Sequence, residues 1–420
     1  MLFETFSDAE AMLLWGGFLI ALVLGAVVNK TNFCTMGAVS DLVNIGDTGR
    51  MRAWLFAIAI AVLGVAVLEY VGLVDATSTF PPYRGGNLLL GENILGGLLF
   101  GIGMTLASGC GNKTLVRIGA GNLKSVVVFM VIALIAYFMI NPFPGSDKTL
   151  MSLLFYDWIR PLSLDLGASQ DLGYLLGGGS APTARLAIGV VLGLVLLGFA
   201  IKSVDFRGSR DNILGGLVVG LAVLGAWYLT SNIRVASFDG DVSLAEYYQQ
   251  WELLADSDAG KPAQGRPLAP QSYTFINPMG QTLGYAAGGF ERALLNFGVM
   301  AVLGVVLGSL LWALLSRGFR IEWFSSFRDA LNHLIGAVLM GFGGTLAMGC
   351  TIGQGITGVS TLAIGSLVTF IAILLGSALT MKVQYYKMVY EDDASIGKAL
   401  ITGLVDLRLL PERLRRLEAV

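Results

Sequence analysis

Long apolar stretches alternate with short polar connections along this chain, and nine stretches have the length of membrane-spanning helices. A helix that crosses the hydrocarbon core of a bilayer needs about 20 mostly apolar residues. The pattern therefore predicts an all-α, polytopic membrane protein. The nine predicted helices are residues 11–28, 53–74, 93–107, 123–140, 184–201, 212–229, 293–315, 333–348 and 362–381.

Composition supports this class. Of the 420 residues, 55% are apolar and only 13% are charged, which is about half the charged share of soluble proteins. The mean hydropathy is +0.72. The formal net charge is −2, so nucleic acid is not an expected partner. The single histidine and three widely spaced cysteines lack the short spacings of zinc sites, so no metal or cofactor is expected.

Lysine and arginine predict the orientation of the helices. Nineteen of them fall on the side reached after the first helix and eight on the side of the N-terminus. Because cytoplasmic loops of membrane proteins are enriched in these residues, the N-terminus is expected outside and the C-terminus in the cytoplasm. Glu69, near the outer end of its helix, is expected to be a solvated interfacial carboxylate.

One motif occurs twice. GIGMTLASGCG at residues 101–111 returns as GFGGTLAMGCT at residues 341–351, with seven identities in the ten positions that end at Cys110 and Cys350. The third cysteine, Cys34, also follows an apolar helix. By the predicted orientation the two copies are approached from opposite sides of the membrane, which is typical of inverted repeats with a substrate site near the midplane.

The repeat predicts one membrane transport domain over residues 1–420, with two halves around a central constriction. Residues 11–140 form the first half, and 212–381 form the second half with an external insertion at about 239–266. Residues 141–211 are a connector with an extra helix. Residues 382–420 are a cytoplasmic tail with an amphipathic helix near 404–417.

Each repeat breaks at a Gly-Cys pair after a helix of only about 15 residues, which is short for a full crossing. Non-helical backbone at membrane depth is tolerated where it lines a cavity or is buried in protein. Short re-entrant or broken helices are therefore expected at the constriction, where their free N–H groups favour an anion. Other expected contacts are Thr105, Gly109, Gly111, Asn112, Thr345, Gly349, Thr351 and Gln354, with weaker candidates in Ser272 and Arg234.

A thiol is neutral at its ordinary pKa of about 8.5, and it is polarizable and weakly hydrogen-bonding. Weak sites in series let an ion enter and still leave. Cys34, Cys110 and Cys350 therefore suit an anion with a soft sulphur end better than a hard oxyanion. The competing interpretation is that each cysteine is only a small buried apolar residue. Three cysteines at helix breaks, two of them in matching repeats, argue against that interpretation.

The segments NFCTMGA, ASGCGNKT and AMGCTIGQG, together with SYTFINP at residues 272–278, resemble the YeeE/YedE family of sulphur-transport membrane proteins. The resemblance covers nearly the whole transmembrane part. It implies a non-enzymatic transporter in the bacterial inner membrane that imports thiosulfate or a related sulphur anion past three cysteines. It also implies a small cytoplasmic sulphur-carrier protein as a partner.

Two alternatives stay open at this point. One is a membrane redox or sulfurtransfer enzyme with a persulfide cysteine, which would need a lowered thiol pKa. Lys113 is the only cation close in sequence to Cys110. The other is a permease for another soft species, such as a selenium compound or Cu(I), which three thiols would suit.

Overall fold

A computed structural model describes residues 1–237, 240–254, 261–262, 268–390 and 394–418, and it is almost entirely helical. Five short strands lie in the connections: β1 Leu2–Phe3, β2 Asn87–Leu88, β3 Leu164–Asp165, β4 Arg234–Ser237 and β5 Gly240–Ser243. The helices are α1 Phe6–Thr31, α2 Thr35–Ser40, α3 Gly49–Tyr70, α4 Leu90–Leu106, α5 Gly111–Gly119, α6 Leu123–Ile140, α7 Leu150–Leu154, α8 Tyr156–Ile159, α9 Leu172–Gly177, α10 Ala181–Lys202, α11 Val204–Gly208, α12 Arg210–Ser231, α13 Leu244–Gln249, α14 Trp251–Leu254, α15 Ile276–Ala287, α16 Phe297–Leu315, α17 Phe327–Leu346, α18 Ile364–Val389 and α19 Ile396–Asp406.

The predicted membrane-spanning segments are all helical, which confirms the all-α polytopic class. In the described part of the chain, eight of them (α1, α3, α4, α6, α10, α12, α16 and α18) are long and apolar enough to cross a bilayer. The ninth, α17, carries Arg328, Asp329 and His333 in its first two turns. α4 and α17 have 17 and 20 residues, so they are longer than predicted.

Two other expectations need comment. The tail helix predicted near residues 404–417 is wrong in position, because α19 is Ile396–Asp406 and only a 3-10 turn, Glu412–Leu414, follows. The predicted insertion at about 239–266 lies partly outside the described residues. Its described part forms β5, α13 and α14, and β5 pairs with β4 in a small sheet that also includes β1.

Helices α4 and α17 cross at glycines that meet in reciprocal pairs. A Cβ on Gly103 would lie 2.6 Å from the carbonyl oxygen of Gly336, and a Cβ on Gly336 would lie 2.6 Å from that of Gly103. Gly96 and Gly343 form the second pair, at 2.8 and 2.6 Å. Such contacts leave no room for a side chain, and small residues let membrane helices approach closely. The pairing of early with late residues shows that α4 and α17 are antiparallel.

Helix neighbours come in matching sets across the two predicted halves. α1 packs on α16 as α12 packs on α3, and α4 packs on α18 as α17 packs on α6. The short helices follow the same rule, since α15 packs on α6 as α2 packs on α18. These sets relate α1–α6 to α12–α18 and support the halves 11–140 and 212–381, which stay a prediction. α10 packs on α3 and α9 and has no counterpart.

Glu69 is not the solvated carboxylate that the sequence suggests. It accepts hydrogen bonds from Arg84 at 2.5 and 2.9 Å and pairs with Arg185 at 3.3 Å, and Arg185 also binds the fully buried Asp171 at 2.7 Å. The Arg84 Nε–H donates to the carbonyl of Thr361 at 2.8 Å. This ion-pair network therefore holds the segment that follows Cys350 against α3 and α10.

We expect Gly103→Leu to destabilise the protein, because the added side chain collides with the Gly336 backbone. Overpacking of this kind costs about 1–3 kcal/mol. The measurement is the fraction of monodisperse protein that survives heating in detergent, followed by size-exclusion chromatography. Gly198→Leu on α10 is the matched control, since nothing lies within 4 Å of its Cβ position. Equal thermal survival of the two variants would contradict the proposed role of the α4–α17 contact.

Candidate functional site

Each of the three cysteines follows a helix end of the same shape. Asn32, Ser108 and Met348 have left-handed backbones with φ of 52°, 59° and 55°, and each stands two residues before a cysteine. At the ends of α4 and α17, the N–H of the residue that follows the left-handed one donates to the carbonyl five residues before it, at 2.8 Å. This is the Schellman arrangement, which satisfies carbonyls left open at a helix end. The chain thus leaves the helix in a defined direction without orphaned backbone groups.

Each cysteine then begins a new, short helix. The carbonyl oxygens of Cys34, Cys110 and Cys350 accept the first helical hydrogen bonds, at 3.0, 2.9 and 2.8 Å. The helices that follow are α2, α5 and a helical segment over residues 351–360, which contains a π-helical stretch at Gly353–Gly358. The thiol of Cys34 makes no capping hydrogen bond, so the first N–H groups of α2 are not used up by a cap. In α5 the backbone N–H of Lys113 faces the sulphur of Cys110.

A fourth short helix, α15, completes the set. Phe275 precedes it in the place that a cysteine takes before the other three, and the Phe275 carbonyl accepts the N–H of Met279 at 3.2 Å. Phe275 is fully buried, and its backbone N–H faces the sulphur of Cys350. Three cysteines and one phenylalanine therefore occupy the four equivalent positions.

The three thiols lie together in the interior. Cys34, Cys110 and Cys350 are 6%, 2% and 0% exposed, and all three are free. Cys110 is close enough to both Cys34 and Cys350 for electrostatic interaction. That the three cysteines form one path for a substrate stays a prediction.

Polar side chains surround the thiols. Thr351 lies beside Cys110, and Thr274 lies beside Cys350. Cys350 also accepts the backbone N–H of Gly353 at 3.4 Å. In the described part of the chain, one side-chain oxygen of each of five residues around the thiols is buried without an oxygen or nitrogen partner: Thr35, Asn112, Thr274, Thr351 and Gln354.

These unpartnered oxygens are an energetic cost. A buried polar group without a partner costs about 1–3 kcal/mol, and most buried polar groups in folded proteins are paired. Several such groups around one point indicate a site that a polar ligand completes. The residues are on three of the short helices and on the non-helical segment before α15.

Two openings lie near residues that neighbour the thiols. A cavity of about 400 Å³ contains Asn32, Ser108 and Lys113 in its wall. On the opposite side, a crevice of about 10 Å³ is lined by Ser272 and Thr274, which is room for about one water. Thr274, beside Cys350, thus lines the narrow crevice, whereas Asn32 and Ser108, two residues before Cys34 and Cys110, line the wide cavity.

The structure brings some of the sequence-predicted residues to the thiols. Asn112, Thr351 and Gln354 are among the unpartnered groups. A Cβ on Gly349 would lie 3.3 Å from Thr274 and from Gln354, and one on Gly111 would lie 2.8 Å from Ile276. Gly109 faces the stem of Lys113. The glycines thus allow the short helices to pack closely around the thiols.

Other predicted residues lie elsewhere or have other partners. Thr105 and Thr345 donate to carbonyls of their own helices, and Thr105 also contacts Ser377 at 2.8 Å. Ser272 donates to the Val223 carbonyl at 2.8 Å. Arg234 is exposed in β4 and donates to the Asp241 carbonyl at 3.1 Å.

Sequence reasoning missed Thr35, Thr274 and Tyr83. The Tyr83 hydroxyl is buried without a partner, and Tyr83 interacts electrostatically with Cys350. Thr35 directly follows Cys34, and Thr274 lies in the SYTFINP segment, so adjacency to the helix starts was an available signal. Tyr83 is in a loop with no motif, so no sequence signal pointed to it. Among the described residues, no group of three His, Cys, Asp or Glu side chains has the arrangement of a metal site.

Comparison with known proteins agrees with this architecture. A family model described as sulphur transport matches residues 30–379. The thiosulfate transporter TsuA of Spirochaeta thermophila is 24% identical over 365 residues, which cover 87% of this chain and 97% of the relative. The thiosulfate transporter TsuA of Escherichia coli is 25% identical over 350 residues, which cover 81% of this chain and 86% of the relative.

We expect the three thiols to be closed to bulky reagents in the native protein, because their surroundings are packed. A polyethylene-glycol maleimide should add no mass in detergent and three adducts after denaturation in SDS, read by gel shift. Ala236→Cys, exposed in β4, is the positive control and should add one native adduct. Rapid native modification of any wild-type cysteine would contradict the buried arrangement.

Proposed function

The chain belongs to the sulphur transport family, and from this we propose that it carries thiosulfate, or a closely related sulphur anion, across the bilayer past Cys34, Cys110 and Cys350. The observation that carries the proposal is the meeting of three thiols with unpartnered oxygens at one buried place. The family is one of transport and not of enzymes, which leaves the persulfide alternative without support.

The chemistry suits an ion with two different ends. The terminal sulphur of thiosulfate is a soft acceptor for weak S–H donors, and its oxygens are strong acceptors for hydroxyl and amide groups. Thiols supply the first kind of contact, while the hydroxyls of Thr35, Thr274 and Thr351 supply the second. The backbone N–H groups around Cys350 add neutral donors without a fixed counter-charge.

Transport needs no covalent step in this scheme. The anion passes from Cys350, beside the narrow crevice, to Cys110 and then to Cys34. Each contact is weak enough to exchange for the next, which is the requirement for conduction through sites in series. Thr105 and Thr345 support this path through helix structure and not through contact, since their hydroxyls bond to their own helices.

The orientation proposed from the basic residues has the wide cavity facing the cytoplasm. The N-terminus is then outside, the tail after α18 is inside, and the protein is in the inner membrane of a bacterium. Flux from the crevice to the cavity is import. A small sulphur-carrier protein that receives the anion at the cytoplasmic face is part of the same proposal, and so is the division into the repeat halves 11–140 and 212–381.

The remaining alternative is another soft cargo. A selenium compound would use the same contacts as thiosulfate. Cu(I) would need two or three thiolates at bonding distance of one ion, whereas the described residues contain no metal-binding group of three such side chains. Inhibition of labelled thiosulfate uptake by unlabelled selenosulfate measures whether the path also accepts a selenium compound.

We expect Cys34→Ser, Cys110→Ser and Cys350→Ser each to reduce the initial rate of thiosulfate uptake by about tenfold or more. The reason is the loss of a polarizable contact at the narrowest part of the path; tenfold corresponds to about 1.4 kcal/mol. Uptake of radiolabelled thiosulfate into proteoliposomes is the measurement. It is supplemented by growth of cells that depend on thiosulfate as their sulphur source.

The matched control is Thr402→Ala, which removes a buried hydroxyl in α19, away from the thiols. Its uptake should equal that of the wild-type protein. Unimpaired uptake in all three cysteine variants would refute the thiol path.

A further inference from the structure

Positively charged side chains line the wide cavity beside the thiols, and the proposed thiol path does not involve them. We name this cavity the basic vestibule and define it by Asn32, Ser108, Lys113, Arg117, Lys124 and Arg320, which line its volume of about 400 Å³. A cavity of this size holds a small ligand, since ligand sites commonly measure about 300–1,000 Å³. Four of the six defining residues are cationic.

Lys113 is the most unusual of these cations. It is only 9% exposed, and its ammonium group donates to the side-chain oxygen of Asn32. Within the described residues it pairs with no carboxylate. A charge taken out of water is costly unless it is paired and hydrogen-bonded, so one neutral acceptor leaves Lys113 without the partner that its burial requires.

The position of Lys113 in its helix adds to this cost. It is the third residue of α5. At the start of a helix, the free N–H groups and the helix dipole already create a partial positive charge. Cations are disfavoured there and anions are favoured. A bound anion would compensate both the charge of the buried ammonium group and the partial positive charge at the helix end.

Carboxylates on the vestibule wall do not neutralise the site. Asp329 pairs with Lys124 at 2.9 Å and with His333 at 3.0 Å, and Glu322 accepts from the amide of Asn122 at 2.6 Å. In the described structure, the guanidinium groups of Arg117 and Arg320 make no ion pair or hydrogen bond. Three cations therefore face the cavity without a carboxylate partner.

The second repeat has no such charge. Counting from the cysteines, Gly353 stands in the place of Lys113, and Thr357 stands in the place of Arg117. Gly353 packs against Thr274, and the Thr357 hydroxyl donates to the Tyr273 carbonyl at 2.7 Å. The positive charge is thus confined to one of two otherwise matching short helices.

The vestibule adjoins the thiols. Lys113 is within electrostatic reach of both Cys34 and Cys110. Asn32 and Ser108, which belong to its wall, are the left-handed residues two positions before these cysteines. An anion that leaves the thiols on this side meets Lys113 next.

We propose that the basic vestibule is a second anion-binding site, which holds a doubly charged tetrahedral anion such as sulfate or thiosulfate between Lys113, Arg117 and Arg320. It differs from the thiol site in its chemistry, because it selects charge and not a soft sulphur atom. That it receives the transported ion rests on the proposed function, whereas the binding itself does not.

The test is titration calorimetry of the purified full-length protein with sulfate in a neutral detergent at low ionic strength. Lys113→Gln should weaken sulfate binding by about tenfold or more, and Lys113→Arg should restore it to within about threefold of the wild-type value. Lys202→Gln, at an exposed lysine that ends α10, is the matched control and should leave binding unchanged.

A variant with Cys34, Cys110 and Cys350 all changed to Ala separates this proposal from the proposed function. It should bind sulfate as the wild-type protein does, even where thiosulfate uptake is lost. Arg320→Gln, in an exposed loop, is a second probe that leaves the core intact and should weaken binding several-fold. Unchanged sulfate affinity in both Lys113→Gln and Arg320→Gln would overturn the proposal, and so would loss of binding in the cysteine variant alone.

A phospholipid headgroup has the same chemistry as a free anion, so the titration is repeated with phosphatidylglycerol added to the detergent. If the sulfate affinity measured with the lipid stays within about twofold of that measured without it, the result supports a site for a soluble anion. Displacement of sulfate by the lipid at equimolar concentration would assign the vestibule to a headgroup and overturn the proposal.

Discussion

A backbone that stops being helical inside a bilayer must find partners for its N–H and C=O groups, and the centre of this structure follows from that requirement. The left-handed residues Asn32, Ser108 and Met348 close the preceding helices, and a new helix starts three residues later. The bends themselves provide hydrogen-bond partners for the backbone groups at these helix ends. The side chains at the bends are consequently left for other uses, and three of them are thiols.

The two helices that end in the repeated motif are held in antiparallel contact. Gly96, Gly103, Gly336 and Gly343 bring α4 and α17 together at backbone distance. Because the contact is antiparallel, the C-terminal ends of α4 and α17, which lead to Cys110 and Cys350, point toward opposite ends of the pair. The small residues of the repeated motif therefore contribute to the packing of the two helices.

Much of this architecture was predictable from the sequence. Apolar length identified the helices, and the duplicated Gly-Cys motif predicted the helix breaks that precede Cys110 and Cys350. Side-chain partners were not predictable, because Thr274, Tyr83 and the Arg84–Glu69–Arg185 network come from connections whose patterns carry no periodic signal. Thr105 and Thr345 were misjudged for a related reason: the identity of a repeated residue does not reveal whether its hydroxyl turns outward or back to its own helix.

Phe275 stands where a fourth thiol would complete the set. At the other three helix starts a cysteine stands in the corresponding place. The duplicated scaffold therefore has one aromatic helix start among four, and its two halves differ in side-chain chemistry at their otherwise corresponding bends.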